Sequence, residues 1–289
     1  MHRDDTRHYS GLVAVLATMH GKERIIAPIL KEAFGLDVCV VPDLDTDRFG
    51  TFSREIARTG SPLDTARAKI AEAFRRMPDV RIGVASEGSF GPHPLIPFLP
   101  LGQELVLLID RETGFELEGN HTGPDTNFSH AVVTDVHAAV AFAERAGFPE
   151  HGLIVIGCMD GKPAPERALI KDIAELHTYQ AAIRKVTSDG SSAFVETDMR
   201  AHRNPTRMNA IGCATADLVR RMQSACPACG APGFDVTERI QGLPCDWCGA
   251  PTHVIRKTIW SCRACAFRED RPVKEMTTAD PGSCDGCNP

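Results

Sequence analysis

Eight of the eleven cysteines form four CxxC pairs, all within residues 226–287. A CxxC turn directs two thiolates at one point, and four such soft ligands make the tetrahedral site that zinc prefers. Clusters of this kind are typical of a reducing compartment, where disulfides are rare, so a cytoplasmic location is expected. The sequence therefore predicts two structural Zn2+ sites. Their ligands are Cys226, Cys229, Cys245, Cys248, Cys262, Cys265, Cys284 and Cys287.

The four CxxC pairs can combine into two sites in three ways. Residues 245–265 are typical of a zinc ribbon, because two CxxC pairs flank a β-rich segment. This pattern favours one site made by the second and third pairs and another made by the first and fourth. Sequential and cross-braced pairings remain open. Zinc would supply the folding energy that a module with so small a core lacks.

Charge and hydropathy limit the classes of binding partner that this chain is expected to have. Residues 226–289 contain seven Lys/Arg and eight Asp/Glu, and thiolate ligands add negative charge, so nucleic acid is not a favoured partner. No apolar run approaches the ~18 residues that cross a bilayer, so no membrane partner is expected. The whole chain, with a formal net charge of -6 and 43% hydrophobic residues, has the composition of a folded soluble protein.

The length of 289 residues suggests about two domains. Strand patterns such as "LVAVLAT" alternate with helical patterns such as "KERIIAPILKEAF", and "ELVLLIDRETGFELEG" indicates a hairpin. We predict an α/β domain over residues 1–224, with a mixed central sheet flanked by helices, and a zinc-ribbon-like module over residues 225–289. Within the first domain, a Gly/Pro-rich connection is expected from Glu87 to Gly102 and one long helix over residues 164–186.

Two polar motifs of the first domain are typical of phosphate binding. In "ATMHGKER" the hydroxyl of Thr18, with His20 and Lys22, lies at a turn from strand to helix, where backbone N–H groups also attract anions. An ordinary capped turn is the alternative. In "TDMRAHRNPTRMNAI" a dense set of donors precedes and opens a helix, which suggests phosphate or base recognition. A salt-bridged junction with the zinc module is the alternative. The donors are Arg200, His202, Arg203, Asn204 and Arg207.

Two further stretches carry carboxylates. In "VASEGSFGPHP" Ser86 and Glu87 end an apolar strand pattern, a position at which ligands of open α/β sheets bind, and a carboxylate there can hold Mg2+. His93 would lie at the pocket mouth, and a structural role for the carboxylate is the alternative. In residues 54–73, Asp64 can form a capping box with Ser61. Asp64 and the preceding Glu55 are either solvated surface charges or groups that take part in chemistry.

The order of these motifs resembles the inosine/xanthosine triphosphate pyrophosphatases, which are related to the Maf-type fold. "ATMHGKERI" is similar to their phosphate loop, although His20 stands where they have asparagine and the loop is one residue shorter. "TGSPLDTARAKIAEA", "GVASEGSFG" with "ELVLLIDRETG", and "AHRNPTRM" are similar to their later motifs. The resemblance covers residues 12–115 better than 116–222 and leaves out the zinc module. The whole series also resembles an uncharacterised bacterial family with the same CxxC pairs.

The resemblance to the pyrophosphatases implies Mg2+-dependent hydrolysis of a nucleoside triphosphate or related phosphoanhydride to a monophosphate and pyrophosphate. Glu87, with Asp64 or Glu55, would hold Mg2+. Charge on the transferred group would be neutralised by Lys22, Thr18 and Arg200 or Arg207. The alternatives are a non-catalytic nucleotide- or nucleic-acid-binding adaptor and a nucleotidyl transferase. The expected partner is a small nucleotide or polyphosphate, and the oligomeric state is open, with a homodimer among the options.

Overall fold

The computed structural model describes residues 9–50, 60–273 and 276–288. The chain divides into two compact units, residues 1–219 (unit 1) and 220–289 (unit 2). Unit 1 is mixed α/β, and the described part of it contains two sheets rather than the single central sheet expected from the sequence. None of the described helices is both long and apolar enough to span a membrane.

The first sheet is mixed and has the order β2-β1-β3-β4-β5. Its strands are β1 Val13–Leu16, β2 Asp37–Val40, β3 Ile82–Pro92, β4 Pro100–Asp110 and β5 Phe115–Gly123. Strand β1 is parallel to β2 and β3, whereas β4 is antiparallel to β3 and β5. Helices α1 Glu23–Phe34 and α2 Pro62–Arg76 accompany it. The apolar face of α2 packs through Ala66 and Ile70 against Val15, Ala85 and Leu107.

Strands β3 and β4 form a long hairpin that runs well past the end of β1. Strand β1 ends at Leu16, opposite Val84, while β3 stays paired with β4 as far as Pro92. The Gly/Pro-rich connection expected from Glu87 to Gly102 is therefore wrong, since only residues 93–99 connect the strands. Two of its prolines were misleading because Pro92 and Pro100 lie at strand ends, where proline is tolerated.

The second sheet of unit 1 is antiparallel, with the order β6-β10-β7-β8 and β9 also paired with β7. Its strands are β6 His130–Val133, β7 Leu153–Met159, β8 Lys162–Pro163, β9 Leu169–Ile173 and β10 Ala193–Thr197. Helices α3 Val136–Ala146 and α4 Leu176–Val186 pack on it around the buried Tyr179. The long helix expected over residues 164–186 is wrong: its first part is β9, which pairs with the buried β7.

Helix α5, Pro205–Gln223, follows β10 and lies against β5. A Cβ atom at Gly119 of β5 would lie 2.2 Å from the backbone nitrogen of Leu218, so the close approach of this helix requires glycine there. The proline that opens α5 suits a first helical turn, where its missing N–H has no acceptor to lose.

Unit 2 contains a three-stranded antiparallel sheet of the order β11-β12-β13. Its strands are β11 Asp235–Gln241, β12 Ile255–Ser261 and β13 Arg268–Pro272. One small apolar cluster joins Phe234 to Cys226 and Cys262, with Trp260 and Phe267 against it. The sulfur atoms thus belong to the little core this unit has.

Candidate functional site

The edge of β3 just beyond the end of β1 carries the first element of the site. The backbone N–H of Ala17 donates to the carbonyl of Val84 at 2.9 Å, and the Lys22 ammonium donates to the next outward-facing carbonyl, that of Ser86, at 3.0 Å. Gly21, with a φ of 72°, turns the chain between strand and helix so that Lys22 reaches back. The lysine therefore continues the hydrogen bonding of the sheet edge after β1 has ended.

Lys22 is only 6% exposed and lies among four other charges. Burial lowers the pKa of its amine to about 7, and the positive charges of Arg207 and Lys69 act in the same direction. Glu87 and Glu104 partly oppose them. Near neutral pH, a small electrostatic change can therefore alter the charge of Lys22.

On one face of β3, Glu87 forms a buried ion pair with Lys69 of α2. Side chains alternate along a strand, so Glu87 shares this face with Ala85, which packs against α2. Asp47 lies in the field of Lys69, and its carboxylate is 3.2 Å from Nε2 of His20. The hydrogen bond with His20 lowers the pKa of Asp47 against the opposing effect of burial. Lys69 thus pairs with Glu87 and also acts on the carboxylate of Asp47 through its charge.

On the other face of β3, Glu104 forms an ion pair with Arg207. Nε of Arg207 is 2.7 Å from Oε1 of Glu104, and each side chain is 1% exposed. Glu104 lies opposite Gly88 in the ladder, and a Cβ at position 88 would lie 2.4 Å from Oε1 of Glu104 and 2.8 Å from Nη2 of Arg207. Glycine follows Glu87 because the buried pair needs that space.

Two buried polar oxygens near this edge have no hydrogen-bond partner within the described parts of the chain. They are Oγ of Ser86, a residue 1% exposed, and Oε2 of Glu104, a residue 2% exposed. Leaving such an atom unsatisfied costs about 1–3 kcal/mol. The two oxygens are free to accept or donate bonds to a ligand or a water molecule.

Lys22, Lys69, Glu87, Glu104 and Arg207 form the cluster around Glu87. Two histidines form the more exposed rim of this cluster. The rings of His20 and His202 are stacked, with centroids 5.1 Å apart and an interplanar angle of 18°. Burial lowers the pKa of His202, and the charges of His20 and Arg200 lower it further, so its ring is neutral at pH 7. Thr18 accepts a hydrogen bond from the backbone of His20 at 3.3 Å, which fixes the turn.

The other predicted donors near the start of α5 bind protein groups. Arg200 contacts Asp198 through two nitrogens and reaches Asp172 at 2.8 Å. Arg203 donates to the carbonyl of Ile173 at 2.6 Å. Asn204 accepts the backbone N–H of Arg207 at 2.9 Å and donates to the side chain of Asn127 at 2.8 Å. They hold in place the segment that presents His202 and Arg207.

Two predicted site residues, Asp64 and His93, are not in this cluster. Asp64 forms the capping box of α2 with Ser61, as the sequence predicted, and pairs with Arg67 on the surface. His93 lies in the turn at the tip of the β3–β4 hairpin, where its Nδ1 accepts two backbone N–H groups. Glu55 lies outside the described residues.

Sequence reasoning did not assign Asp47, Lys69 or Glu104 to the site. Lys69 follows the helical pattern of α2 like any surface charge, yet it is 7% exposed. Glu104 opens the apolar run of β4, and a charged residue beside such a run was the available signal. Only the ladder register shows that it faces Arg207, a residue 103 positions away.

The eight cysteines of unit 2 form two groups that could hold zinc ions. Within each group, all four sulfur atoms lie within 4.8 Å of one another. The first group is Cys226, Cys229, Cys262 and Cys265, and the second is Cys245, Cys248, Cys284 and Cys287. The arrangement is cross-braced, so the favoured zinc-ribbon pairing is wrong. Ser261 at the end of β12 pairs with Asp235 at the start of β11, which brings the third CxxC pair to the first.

Neither CxxC group contains a histidine or carboxylate in place of a cysteine. Four-cysteine sites of this composition are closed, whereas catalytic zinc keeps a position for water or substrate. The donor sets therefore fit a structural ion. Among residues 9–50, 60–273 and 276–288, no other set of three or more His, Cys, Asp or Glu ligands is close enough to hold a metal by itself.

No curated protein sequence matches the chain. A family model described as "Domain of unknown function (DUF6671)" matches residues 72–289. The matched region includes Glu87, Glu104, Arg207 and all eight zinc-binding candidates, while Lys22 and Lys69 precede it. Because this match covers more than half of the 289 residues, the chain belongs to the DUF6671 family.

Proposed function

We propose that unit 1 hydrolyses a phosphoanhydride bond of a nucleoside triphosphate with Mg2+, giving a monophosphate and pyrophosphate, at the cluster around Glu87. The observation that carries this proposal is the convergence of Lys22, Glu87 and Arg207 on one strand edge. These residues come from three motifs that are distant in sequence. The resemblance of the same motifs to inosine/xanthosine triphosphate pyrophosphatases supports the proposal.

The cations of the cluster suit a polyphosphate. Lys69 and Arg207 are balanced by Glu87 and Glu104, whereas Lys22 adds a further ammonium on the edge itself. A phosphate bound there stabilises the protonated form of Lys22 and so raises its pKa. The hydroxyl of Thr18 lies in the same turn and adds a donor for a phosphate oxygen.

The carboxylates fit a magnesium ion that is partly held by its substrate. Mg2+ commonly binds through one or two carboxylates together with phosphate oxygens and waters. Glu87 is paired with Lys69, whose positive charge also acts on Asp47, so these two carboxylates are the ones proposed to hold the ion. When bound, Mg2+ would polarise the phosphoryl group and lower the pKa of a coordinated water.

The protein groups then position the phosphates and neutralise charge. Lys22 and Lys69 offset the charge that develops on the transferred group, and Arg207, held by Glu104, supplies a guanidinium of fixed orientation. Asp47 orients His20 through the contact at Nε2. His20 in turn stacks on the neutral ring of His202, so this rim can exchange a proton with a bound water.

For unit 2 we propose two structural zinc ions and no catalytic one. Both donor sets consist of four cysteines, and the core around Phe234 is too small to fold the unit alone. Thiolates in this number also support a cytoplasmic location, because they remain reduced there.

The test is pyrophosphate release by the purified full-length protein with Mg2+ and a panel of nucleoside triphosphates. Glu87→Gln should abolish release, because it removes the charge that holds the metal. Asp110→Asn is the matched control: Asp110 is 1% exposed and paired with Arg81 at the opposite end of the same hairpin. The control should lose stability but keep activity. Nucleotide binding without pyrophosphate release by the unaltered protein would contradict the proposal and favour an adaptor.

A further inference from the structure

A cavity of about 610 Å³ lies in unit 1 beside the tip of the β3–β4 hairpin. Its walls come from the hairpin, from residues 126–130 and from α3. Aromatic and proline side chains predominate, and a few polar groups join them. The lining includes Phe98, Asn127, Phe128, His130 and Arg145.

The cavity is connected to the cluster around Glu87 by two sets of contacts. The side chain of Asn127 accepts a hydrogen bond from Asn204, and Asn204 in turn accepts the backbone N–H of Arg207. The ring of Phe128 is stacked on Phe90, with centroids 6.3 Å apart, and the guanidinium of Arg207 lies 5.3 Å from the Phe90 ring centre. The walls of the cavity and the buried Arg207 therefore share neighbours.

The spacing along β3 suits a ligand that extends from the cluster around Glu87 to the cavity. Gly88 lies beside Glu104 and Arg207, and Gly91 lines the cavity. Three residues of a strand span about 10 Å. A ribose with its first phosphates bridges a comparable length, so a nucleotide with its phosphates at the charged cluster can place its base in the cavity.

The lining also suits a planar heteroaromatic ring. Phe128 and Phe98 offer ring faces, and stacking on such faces accepts any base. His130 is stacked on Phe194 with centroids 5.2 Å apart, which leaves the edge of its imidazole to exchange hydrogen bonds with a ligand. Arg145 adds donors at the exposed side of the cavity. A volume of this size is ordinary for a small-molecule site.

We propose that this cavity, the base cavity, binds the nucleobase of the nucleoside triphosphate. The inference rests on the proposed function, because it takes the phosphates to lie at the cluster around Glu87. It adds a site that recognises the base to the site that binds the phosphates. Since the cavity is large and phenylalanine rings lie in its walls, it accepts purines and pyrimidines, and hydrogen bonds at His130 and Arg145 contribute to selection among them.

The test measures equilibrium binding to the full-length protein by calorimetry with Mg2+ present. The probes are α,β-methylene analogues of ATP and GTP, inorganic tripolyphosphate, and the nucleosides adenosine and guanosine. Phe128→Ala and Phe98→Ala should each weaken binding of the analogues about tenfold, because a base loses an aromatic partner. Both variants should bind tripolyphosphate as the unaltered protein does. Leu95→Ala, on the same hairpin tip and 85% exposed, is the control and should change nothing.

The outcomes distinguish failure of the base cavity from failure of the proposed phosphate site. If both phenylalanine variants bind the analogues with unchanged affinity, or weaken tripolyphosphate to the same degree, the base cavity is wrong. Phe98 is 89% exposed, so its variant reports on binding even if Phe128→Ala fails to fold. If tripolyphosphate does not bind, the phosphate site fails, while nucleoside binding that Phe98→Ala weakens would still support the base cavity. Absence of binding by all the probes would overturn both proposals.

Discussion

The two units of this protein hold polar groups in place by different means. In unit 1, five charged side chains meet at the edge of a sheet whose core of aliphatic residues packs against α2. In unit 2, eight cysteines form two groups beside a small sheet, and two of those cysteines are part of the small apolar cluster. Unit 1 has a core that can tolerate buried charge, whereas unit 2 depends on its ligands for a core.

Removal of the polar groups is therefore expected to affect the stability of the two units in opposite ways. Buried ion pairs recover little of their desolvation cost, so replacing both partners with apolar residues is often neutral or stabilising. Structural zinc, in contrast, supplies most of the folding free energy of a small module. Charges buried at such expense in unit 1 are therefore better explained by binding or catalysis than by stability.

The largest expected effect is the loss of unit 2 when zinc is removed. Structural zinc contributes about 10–16 kcal/mol in small modules, so a strong chelator should unfold β11, β12 and β13. Both tryptophans of the chain, Trp247 and Trp260, lie in unit 2, so their fluorescence reports on this unit alone. Amide hydrogen exchange in β3 and β4 is the control and should stay slow. Protected amides in β12 after all zinc has left would show that unit 2 keeps its fold without the metal.

A second experiment tests the cross-braced pairing through the number of bound zinc ions. Cys229→Ser with Cys265→Ser removes two ligands from one group, so native mass spectrometry should show that one ion remains. Cys229→Ser with Cys248→Ser removes one ligand from each group and should leave no tightly bound ion. The ribbon pairing predicts loss of both ions from the first double variant. The sequential pairing predicts that the second double variant keeps one.

In unit 1, the largest effect of a single substitution is expected at the pair of Glu104 and Arg207. Glu104→Leu removes the carboxylate that balances a guanidinium 1% exposed, which should lower the free energy of unfolding by about 3–5 kcal/mol. The double variant Glu104→Leu, Arg207→Met should recover most of that loss. Urea unfolding followed by circular dichroism measures both. A double variant as unstable as the single one would show that the pair itself stabilises the fold.

Much of the fold follows from local patterns in the sequence. The alternation that predicted β1, α1, β2 and α2 is visible within short windows, and so is the capping box of Ser61 and Asp64. The two sets of candidate zinc ligands were equally evident as CxxC pairs, because a CxxC spacing is itself local. Each of these features depends on residues only a few positions apart.

The features that could not be predicted depend on distant pairing. Residues 169–173 belong to a stretch with a helical sequence pattern, yet they form β9 by pairing with the distant strand β7. The CxxC pairing follows from the antiparallel order of β11 and β12. In the same way, the positions of Lys69 and Glu104 are set by the register of β3 against β4 and by the packing of α2. No short window of sequence contains that information.

A smaller effect is expected from the titration of Lys22. The unfolded chain keeps this proton up to its ordinary pKa of 10.5, whereas the folded protein releases it near pH 7. Between these values the unfolded state binds more protons, so stability rises with pH by up to about 1.4 kcal/mol per unit. Urea unfolding from pH 7.5 to 10 gives the free energy of unfolding of the unaltered protein and of Lys22→Met. The slope of this free energy against pH should be larger for the unaltered protein. Equal slopes would show that Lys22 titrates normally.

The same titration predicts how anions bind. Tripolyphosphate should bind best when Lys22 is protonated, so its affinity should fall as the pH rises above about 7. Lys22→Arg keeps the charge at all these pH values and should remove the dependence. An unaltered protein with constant affinity from pH 6 to 9 would place the phosphate away from Lys22.

The smallest effect concerns Asp64, to which the sequence assigns either a catalytic role or the capping of α2. In the structure it accepts the backbone N–H of Ser61, whose hydroxyl accepts the N–H of Asp64 in return. Ser61→Ala should lower the free energy of unfolding by about 1 kcal/mol, and Asp64→Asn should lower it less, because an amide can still cap. Neither change should alter kcat/KM for pyrophosphate release, since both residues lie on the surface, away from Glu87. A large loss of kcat/KM in Asp64→Asn with little loss of stability would return Asp64 to the site and show that α2 brings more than Lys69 to the phosphates.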